Sequence, residues 1–296
     1  MRYAFSLFCF FGSLSAFVYY PFDRAMRVSA DLRYVDDDKM HAYVGMDGRQ
    51  VYDFFKHMYE ADQAAVQREK RRTIPKIIHQ IWIGKTFPHE FSLFQESCKC
   101  LHPDWEYKLW TLDDLATLTL SNKEFIKQSK NPGEISDLLR YEILYQFGGV
   151  YLDCDIECLT ALDELHEYYD LYVGLQPLDT GYVQLGIGVI GACPGHPMIK
   201  AAIDGVAQNW HNRLYRHMAT VRTGPLYFTK IFINNHSSDQ RNIALPSFYF
   251  YPLGSIAFEI DRATWQKMGV YTVHHWAKSW LLPAFRKDQF KSIHNY

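Results

Sequence analysis

The stretch from Pro132 to Glu157 constrains the chain more than any other. Pro132-Gly133 breaks the chain, and Ile135, Leu138, Leu139 and Ile143 then recur at the spacing of one helical face. Gly148-Gly149 ends that helix, because glycine accepts left-handed backbone. Val150-Tyr151-Leu152 follows as a short strand and delivers Asp153-x-Asp155. In an extended segment, residues two apart face the same side, so both carboxylates are expected to address one ligand. Such paired oxygen donors suit Mg²⁺ or Mn²⁺, and a diphosphate would complete the shell. Asp137 and Arg140 are three apart and so are neighbours on the helix, as a surface ion pair would also be.

The flanking sequence alternates strand and helix, the cadence of an α/β sheet. Ile74 to Gly84 is rich in isoleucine and bounded by Pro75 and Gly84, a buried-strand pattern. Trp105 to Trp110 alternates as a second strand, and Thr111-Leu112-Asp113-Asp114 opens a helix with acids in its first turn. Ligands of such sheets bind beyond the carboxyl ends of the strands. Trp82 ends the first strand, where an indole either packs in the core or stacks on a nucleobase.

Composition removes several function classes. Lys plus Arg number 31 against 33 Asp plus Glu, so the domain-wide basic footprint of a nucleic-acid reader is missing. At 48% apolar and 22% charged residues the chain is globular rather than disordered. Its 296 residues suffice for a core without disulfide or metal. The 21 Tyr, 20 Phe and 7 Trp fit that core, or a cleft that stacks rings on sugars and bases. Six cysteines form no recognisable framework: Cys98-x-Cys100 lacks a second pair for zinc, and Cys154 and Cys158 read as small buried side chains near a strand end.

Residues 1–22 read as a signal peptide or signal anchor. Ala4 to Tyr20 carries no charge and sits at the lower edge of bilayer-spanning length, with small residues near Ser13-Leu14-Ser15. Residues 23–73 read as a stem or N-terminal helical cap, with Val51, Phe54, Phe55, Met58 and Tyr59 on one helical face. Its basic end, Arg68 to Arg72, fits a solvated helix end and, less specifically, an anionic membrane surface. Residues 74–296 are then the main domain.

A helix with Ser136-Asp137-x-x-Arg140, followed by Gly148-Gly149-x-Tyr151-x-Asp153-x-Asp155, resembles the Asp-x-Asp sugar-binding region of glycosyltransferase family 32. That family includes yeast-type mannosyltransferases and animal α-1,4-glycosyltransferases, with the large clostridial toxin glucosyltransferases as cousins. Four further motifs keep the family's order: Ile74 to Trp82, Gly188 to Pro197, Thr223-Gly224-Pro225, and His274-His275-Trp276 with Ser279-Trp280. The resemblance implies a GT-A type, Rossmann-like α/β domain with a mixed sheet. It implies that Trp82 stacks on the donor's base, that Asp137 and Arg140 hold sugar hydroxyls and diphosphate, and that Asp153 contacts ribose and sugar. Asp155, with Asp153 and a histidine (His275, or His274), would hold the metal, and Ser279 and Trp280 would close over the donor. Many members carry Asn near the start of the strand before Pro194-Gly195-His196-Pro197; this chain has Gly186-Ile187-Gly188, with Gln184 the nearest amide.

The implied reaction is metal-dependent, configuration-retaining transfer of a hexose from a UDP-hexose or GDP-mannose donor to a glycan, glycolipid or protein hydroxyl. Asp153, Asp155, Arg140 and Asp137 would be the catalytic set, in an enzyme of the secretory pathway or envelope, or a secreted effector. A haloacid-dehalogenase-like phosphohydrolase also places Asp-x-Asp after a strand, but near its domain start and with later partners not recognisable here. A non-catalytic nucleotide-sugar or carbohydrate-binding protein is the remaining alternative.

Overall fold

The computed structural model describes residues 18–26, 37–64, 69–84, 86–237, 240–254 and 262–277. Its centre is a six-stranded sheet in the order β2-β1-β3-β6-β5-β7. The strands are β1 (Ile77–Ile81), β2 (Glu106–Trp110), β3 (Gly149–Leu152), β5 (Leu171–Leu175), β6 (Leu185–Ala192) and β7 (Asn242–Leu245). A second sheet pairs β4 (Ile156–Cys158) with β8 (Thr272–His274), antiparallel. β1 runs parallel to β2 and β3, whereas β6 is antiparallel to both β3 and β5. The expected α/β fold with a mixed sheet is therefore present.

This direction change makes one edge useful. The carboxyl ends of β1 and β3 open onto the same edge, and β6 enters the sheet there. Asp153 N–H donates to Gly188 O at 2.8 Å, which fixes the end of β3 against the start of β6. His79 and Gln80 of β1 are buried, so their polar atoms are paired. His79 in β1 accepts from Trp110 Nε1 at 3.1 Å, leaving Nε2–H to donate to Gly148 O at 2.9 Å. Gln80 accepts from Tyr107 and donates to Asp153 O at 3.2 Å.

The helix Pro132–Phe147 packs on β1, β3 and β6. Asn131 caps it by accepting from Gly133 N–H at 2.9 Å. Its end is steric as well as conformational. Gly148 and Gly149 have φ of 64° and 89°, and a Cβ on Gly149 would lie 2.6 Å from Ile77 O. The chain therefore reverses directly into β3 only with glycine there.

The helix Gly48–Ala64 packs against β7 and buries Val51, Tyr52, Phe55 and Tyr59 in the same core as the sheet. Burying a side chain such as Val51 or Phe55 contributes roughly 1.5–3 kcal/mol. Tyr59 and Tyr249 share a hydroxyl–hydroxyl bond of 2.7 Å. Most of the apolar N-terminal run, residues 4–17, lies outside the described residues. Among the described residues no helix is long and apolar enough to cross a membrane.

The cysteine reading needs a correction. Cys158 is not a lone buried thiol: it forms a disulfide with Cys98, tying β4 to the helix His89–Leu101. Sixty residues separate the two in sequence, and their proximity follows only from the packing of that helix on β4. Cys154 is buried and free, as expected.

Candidate active site

Asp137 and Arg140 sit one turn apart on Pro132–Phe147, and they are not a surface pair. Their relative exposures are 7% and 4%. Arg140 Nη2 meets Asp137 Oδ1 at 3.0 Å, and Nη1 donates to Ile187 O at 2.6 Å and lies 3.5 Å from Asp153 Oδ1. The guanidinium lies over the Tyr151 ring, 4.4 Å from its centroid, and Tyr151 O–H donates to Asp153 Oδ1 at 2.7 Å. Burial pushes the Asp137 carboxyl up to about 6, against the pull of Arg140 and of the Thr223 hydroxyl. Burial alone would make Arg140 easier to deprotonate, but Tyr151, Asp153 and Asp137 outweigh it and keep the guanidinium charged.

The Asp-x-Asp pair converges by a different route from the one expected. Residues 153–155 form a turn between β3 and β4, closed by Ile156 N–H donating to Asp153 O at 3.0 Å. The turn still points both carboxylates at one place. Asp155 is buried, and the chain returning from β8 holds it. Ala277 N–H donates to Asp155 Oδ2 at 2.7 Å, and His275 N–H donates to Asp155 O at 3.0 Å. His274 Nε2 lies 3.2 Å from Asp155 Oδ1 and 3.8 Å from Asp153 Oδ2. Burial opposes charge on both partners. The His274 imidazole nevertheless holds the Asp155 carboxyl below its ordinary range, and Asp155 in turn raises His274.

Of the two histidines, His274 is the one whose ring lies beside both aspartates. The His275 ring turns away, contacting Glu157 Oε2 at 2.9 Å and stacking on Phe94 with centroids 4.2 Å apart. Ligand atoms of Asp153, Asp155 and His274 all lie within 4.8 Å of one another. His274 Nδ1 is buried without a hydrogen-bond partner. Two carboxylates and one imidazole, neutral when it ligates, fit a divalent cation such as Mn²⁺. Ser279 and Trp280 lie outside the described residues.

These groups line a cavity of about 460 Å³ at the edge where β1 and β3 end. Trp82 stands in its wall just past β1. Its indole N–H donates to Thr86 O at 2.9 Å, and its ring meets Phe87 and Phe91 edge-on. A Cβ on Gly84 would come within 2.8 Å of that indole, so glycine makes the ring's position available.

The Gly186-Ile187-Gly188 departure also has a physical reason. A Cβ on Gly188 would lie 2.8 Å from Asp153 Oδ2, and one on Gly186 would strike the Tyr251 ring at 2.6 Å. Neither position admits a side chain without a shift. Gln184 lines the cavity, with Nε2 donating to Gln176 Oε1 at 2.8 Å and its own Oε1 without a partner.

Three contributors escaped the sequence reading. Thr223, named above only as part of a Thr-Gly-Pro motif, donates to Asp137 Oδ2 at 2.9 Å, while Gly224 takes the cap position of Pro225–Asn235. Tyr151 bears on Asp153, and its place inside the glycine–aspartate motif was the available signal. Tyr251 accepts from Val189 N–H at 3.0 Å and donates to Gly186 O at 2.8 Å, bracing β6; nothing local marks it.

The family profile described as the glycosyltransferase sugar-binding region containing DXD motif matches residues 88–172. Inositol phosphoceramide mannosyltransferase 3 of Schizosaccharomyces pombe is 32% identical over 187 residues, covering 62% of this chain and 49% of that protein. Mannosyl phosphorylinositol ceramide synthase SUR1 of Saccharomyces cerevisiae is 32% identical over 175 residues, covering 55% of this chain and 43% of that one. The chain thus spans about half the length of the curated relatives it matches. The PaToxG glycosyltransferase structure superposes with a TM-score of 0.42 at 17% identity, over 67% of this chain and 80% of that one. Asp153 and Asp155 fall inside the matched span, and the chain carries the DXD-containing sugar-binding region of glycosyltransferases.

Proposed function

We propose that the chain is a metal-dependent hexosyltransferase acting on a nucleotide-sugar donor. The observation that carries this reading is the convergence of Asp153, Asp155 and His274 beside Arg140, in a cavity at the carboxyl ends of β1 and β3. Cleaving the bond to a nucleotide diphosphate develops negative charge on the leaving group and positive charge on the sugar. Asp153, Asp155 and His274 would hold a divalent cation, which supplies electrostatic stabilisation of that leaving diphosphate. Arg140 is fixed by Asp137, Ile187 and Tyr151, so it meets the diphosphate without reorganising. Asp137 stays anchored by Thr223 and keeps Arg140 in register. Trp82 offers a ring face to the base at the cavity mouth, and Gln184 an amide to sugar hydroxyls. No carboxylate is placed as an obvious nucleophile, which favours front-face attack by the acceptor hydroxyl with retained configuration.

The relatives' names say which acceptor class to test first. Two of them are named for inositol phosphoceramide or its mannosyl product, so a phosphosphingolipid headgroup and a mannose donor are the first to test. A lipid acceptor agrees with an uncharged N-terminal run acting as anchor and with a secretory location. The Cys98–Cys158 disulfide supports an oxidising compartment. Residues 74–296 would be the catalytic domain.

The test incubates the full chain with UDP- and GDP-sugars, with Mn²⁺ or with chelator, and follows nucleotide release. Metal-dependent release from one donor, lost in Asp155→Asn, is the expected result. Metal-dependent donor binding with no turnover toward any hydroxyl acceptor would make the chain a binding protein instead.

A further inference from the structure

A second cavity, of about 590 Å³, adjoins the first. Asn131 and Ala219 line both, so the two share a wall. The second cavity's chemistry differs. Lys130, Arg216 and His217 line it, exposed, and none makes an ion pair among the described residues. Its one acid, Glu134, is buried and already engaged: Arg222 Nε donates to it at 2.7 Å and Ser129 Oγ at 2.8 Å. Arg222 lies over Trp210, 3.9 Å from the ring centroid, while Trp210 Nε1 donates to Gln128 Oε1 at 3.0 Å.

The surrounding sequence keeps this charge uncompensated. No acidic residue occurs between Asp204 and Asp239, whereas Arg213, Arg216, Arg222 and Lys230 all fall there. Leu214 stands among these cations at 81% exposure. With Arg222 neutralised by Glu134 and seated on Trp210, the unpaired Lys130 and Arg216 beside the first cavity suit an anion rather than a neutral glycan.

We propose that this second cavity is the acceptor subsite and takes a phosphate group, as a monoester or diester, borne by the acceptor. The proposal rests on the transferase reading above for the role of the site, but not for the binding itself. A phosphate seated between Lys130 and Arg216 would present the neighbouring hydroxyl across the shared wall toward the cavity holding Asp153. Leu214 would seat the rim on a membrane when that phosphate belongs to a lipid.

The test measures equilibrium binding of myo-inositol 1-phosphate and of myo-inositol to the full chain at low salt, and to Lys130→Ala/Arg216→Ala. Inositol 1-phosphate is expected to bind at least tenfold tighter than inositol, and the double variant to lose at least tenfold of that affinity. Equal affinity for the two probes, no binding of the phosphate, or an unaffected double variant would overturn the proposal. Vesicles of phosphatidylcholine with and without phosphatidylinositol separate the sources. Preferential binding to the phosphatidylinositol vesicles, weakened by Leu214→Asp while free inositol phosphate still binds, supports a lipid-borne phosphate. Binding of the free phosphate alone supports a soluble one. Donor binding, followed in the same proteins, is expected to be unchanged by the double variant. Loss of donor binding and hydrolysis in wild type would defeat the transferase reading without touching the phosphate result.

Discussion

The two aspartates of the site stand two residues apart and belong to differently built walls. The side chain of Asp153 leans mostly on one stretch, with Arg140, Tyr151 and Ser136 all within about one helix and one strand of it, while β6 supplies only backbone carbonyls at Ile187 and Gly188. Asp155 leans on a wall completed from far away, by His274 and by Ala277, which is 122 residues distant. The first wall is braced by a buried, multiply bonded arginine. The second is a two-stranded sheet whose other anchor is the Cys98–Cys158 disulfide. If local construction gives the wall that the fold depends on and remote construction the one that activity depends on, substitutions in the two should separate stability from turnover.

The sharpest test is Asp155→Asn. Asparagine keeps an oxygen for Ala277 N–H but loses a carboxylate from the cation's ligand set. Metal-dependent donor hydrolysis should fall about 10³-fold, the upper range for removing one electrostatic contact to a transition state, while the thermal midpoint falls less than in Arg140→Ala, because the Ala277 bond is kept and His274 can shed its proton. A large drop in melting temperature would erase the distinction between the walls.

Arg140→Ala should do the reverse in emphasis. It strands Asp137 and Asp153 beside a hole, and breaking a buried ion pair costs about 3–5 kcal/mol of stability. Urea unfolding would show it, and a stable variant would mean the first wall is not structural.

Removing the disulfide with Cys98→Ser/Cys158→Ser should cost about 4 kcal/mol by the chain-entropy account for a loop of this length, 60 residues. Mn²⁺ affinity should weaken as well, because β4 leads directly into Asp155. Calorimetric titration with Mn²⁺ checks this.

A fourth test uses acid. Burial lowers His79 to about 4 and His166 to about 3, from an ordinary value of 6.5. The unfolded chain therefore binds more protons than the native one below that ordinary value, and stability drops as pH falls from 7 toward 4. For His79 the loss approaches roughly 3 kcal/mol at pH 4, taking about 1.4 kcal/mol per unit. His79→Gln should flatten that part of the slope in urea unfolding at stepped pH and leave the contribution of His166. An unchanged slope would show that the base of the first wall is not closed to protons.

The smallest effect is expected from Thr223→Val. Losing one hydroxyl bond to Asp137 should cost about 1–3 kcal/mol. Turnover should drop more than metal affinity, since only the first wall is loosened.

This difference in construction also explains what was legible in the sequence. Pro132-Gly133, the apolar face, Gly148-Gly149 and Asp153-x-Asp155 lie in one run, so helix, stop, strand and acid pair were all readable from local rules. Asp137 and Arg140 were found for the same reason, although their burial was not, because burial depends on β6 and Thr223. The turn at 153–155 replaced the extended segment expected there, since β4 must leave the main sheet to meet β8. Choosing between His274 and His275 needed to know which residue of β8 faces Asp155, a matter of strand register that no local pattern sets. The Cys98–Cys158 pairing and the bracing by Tyr251 were hidden for the same reason.

The late arrival of the second wall bears on how the protein is made. Asp155 leaves the ribosome long before His274 and Ala277, so a nascent chain holds only part of this three-residue cluster through much of its synthesis. The Asp153–Asp155–His274 cluster is then assembled only when the chain has grown past residue 277, and unfinished or truncated copies carry the acid pair without the wall that holds Asp155.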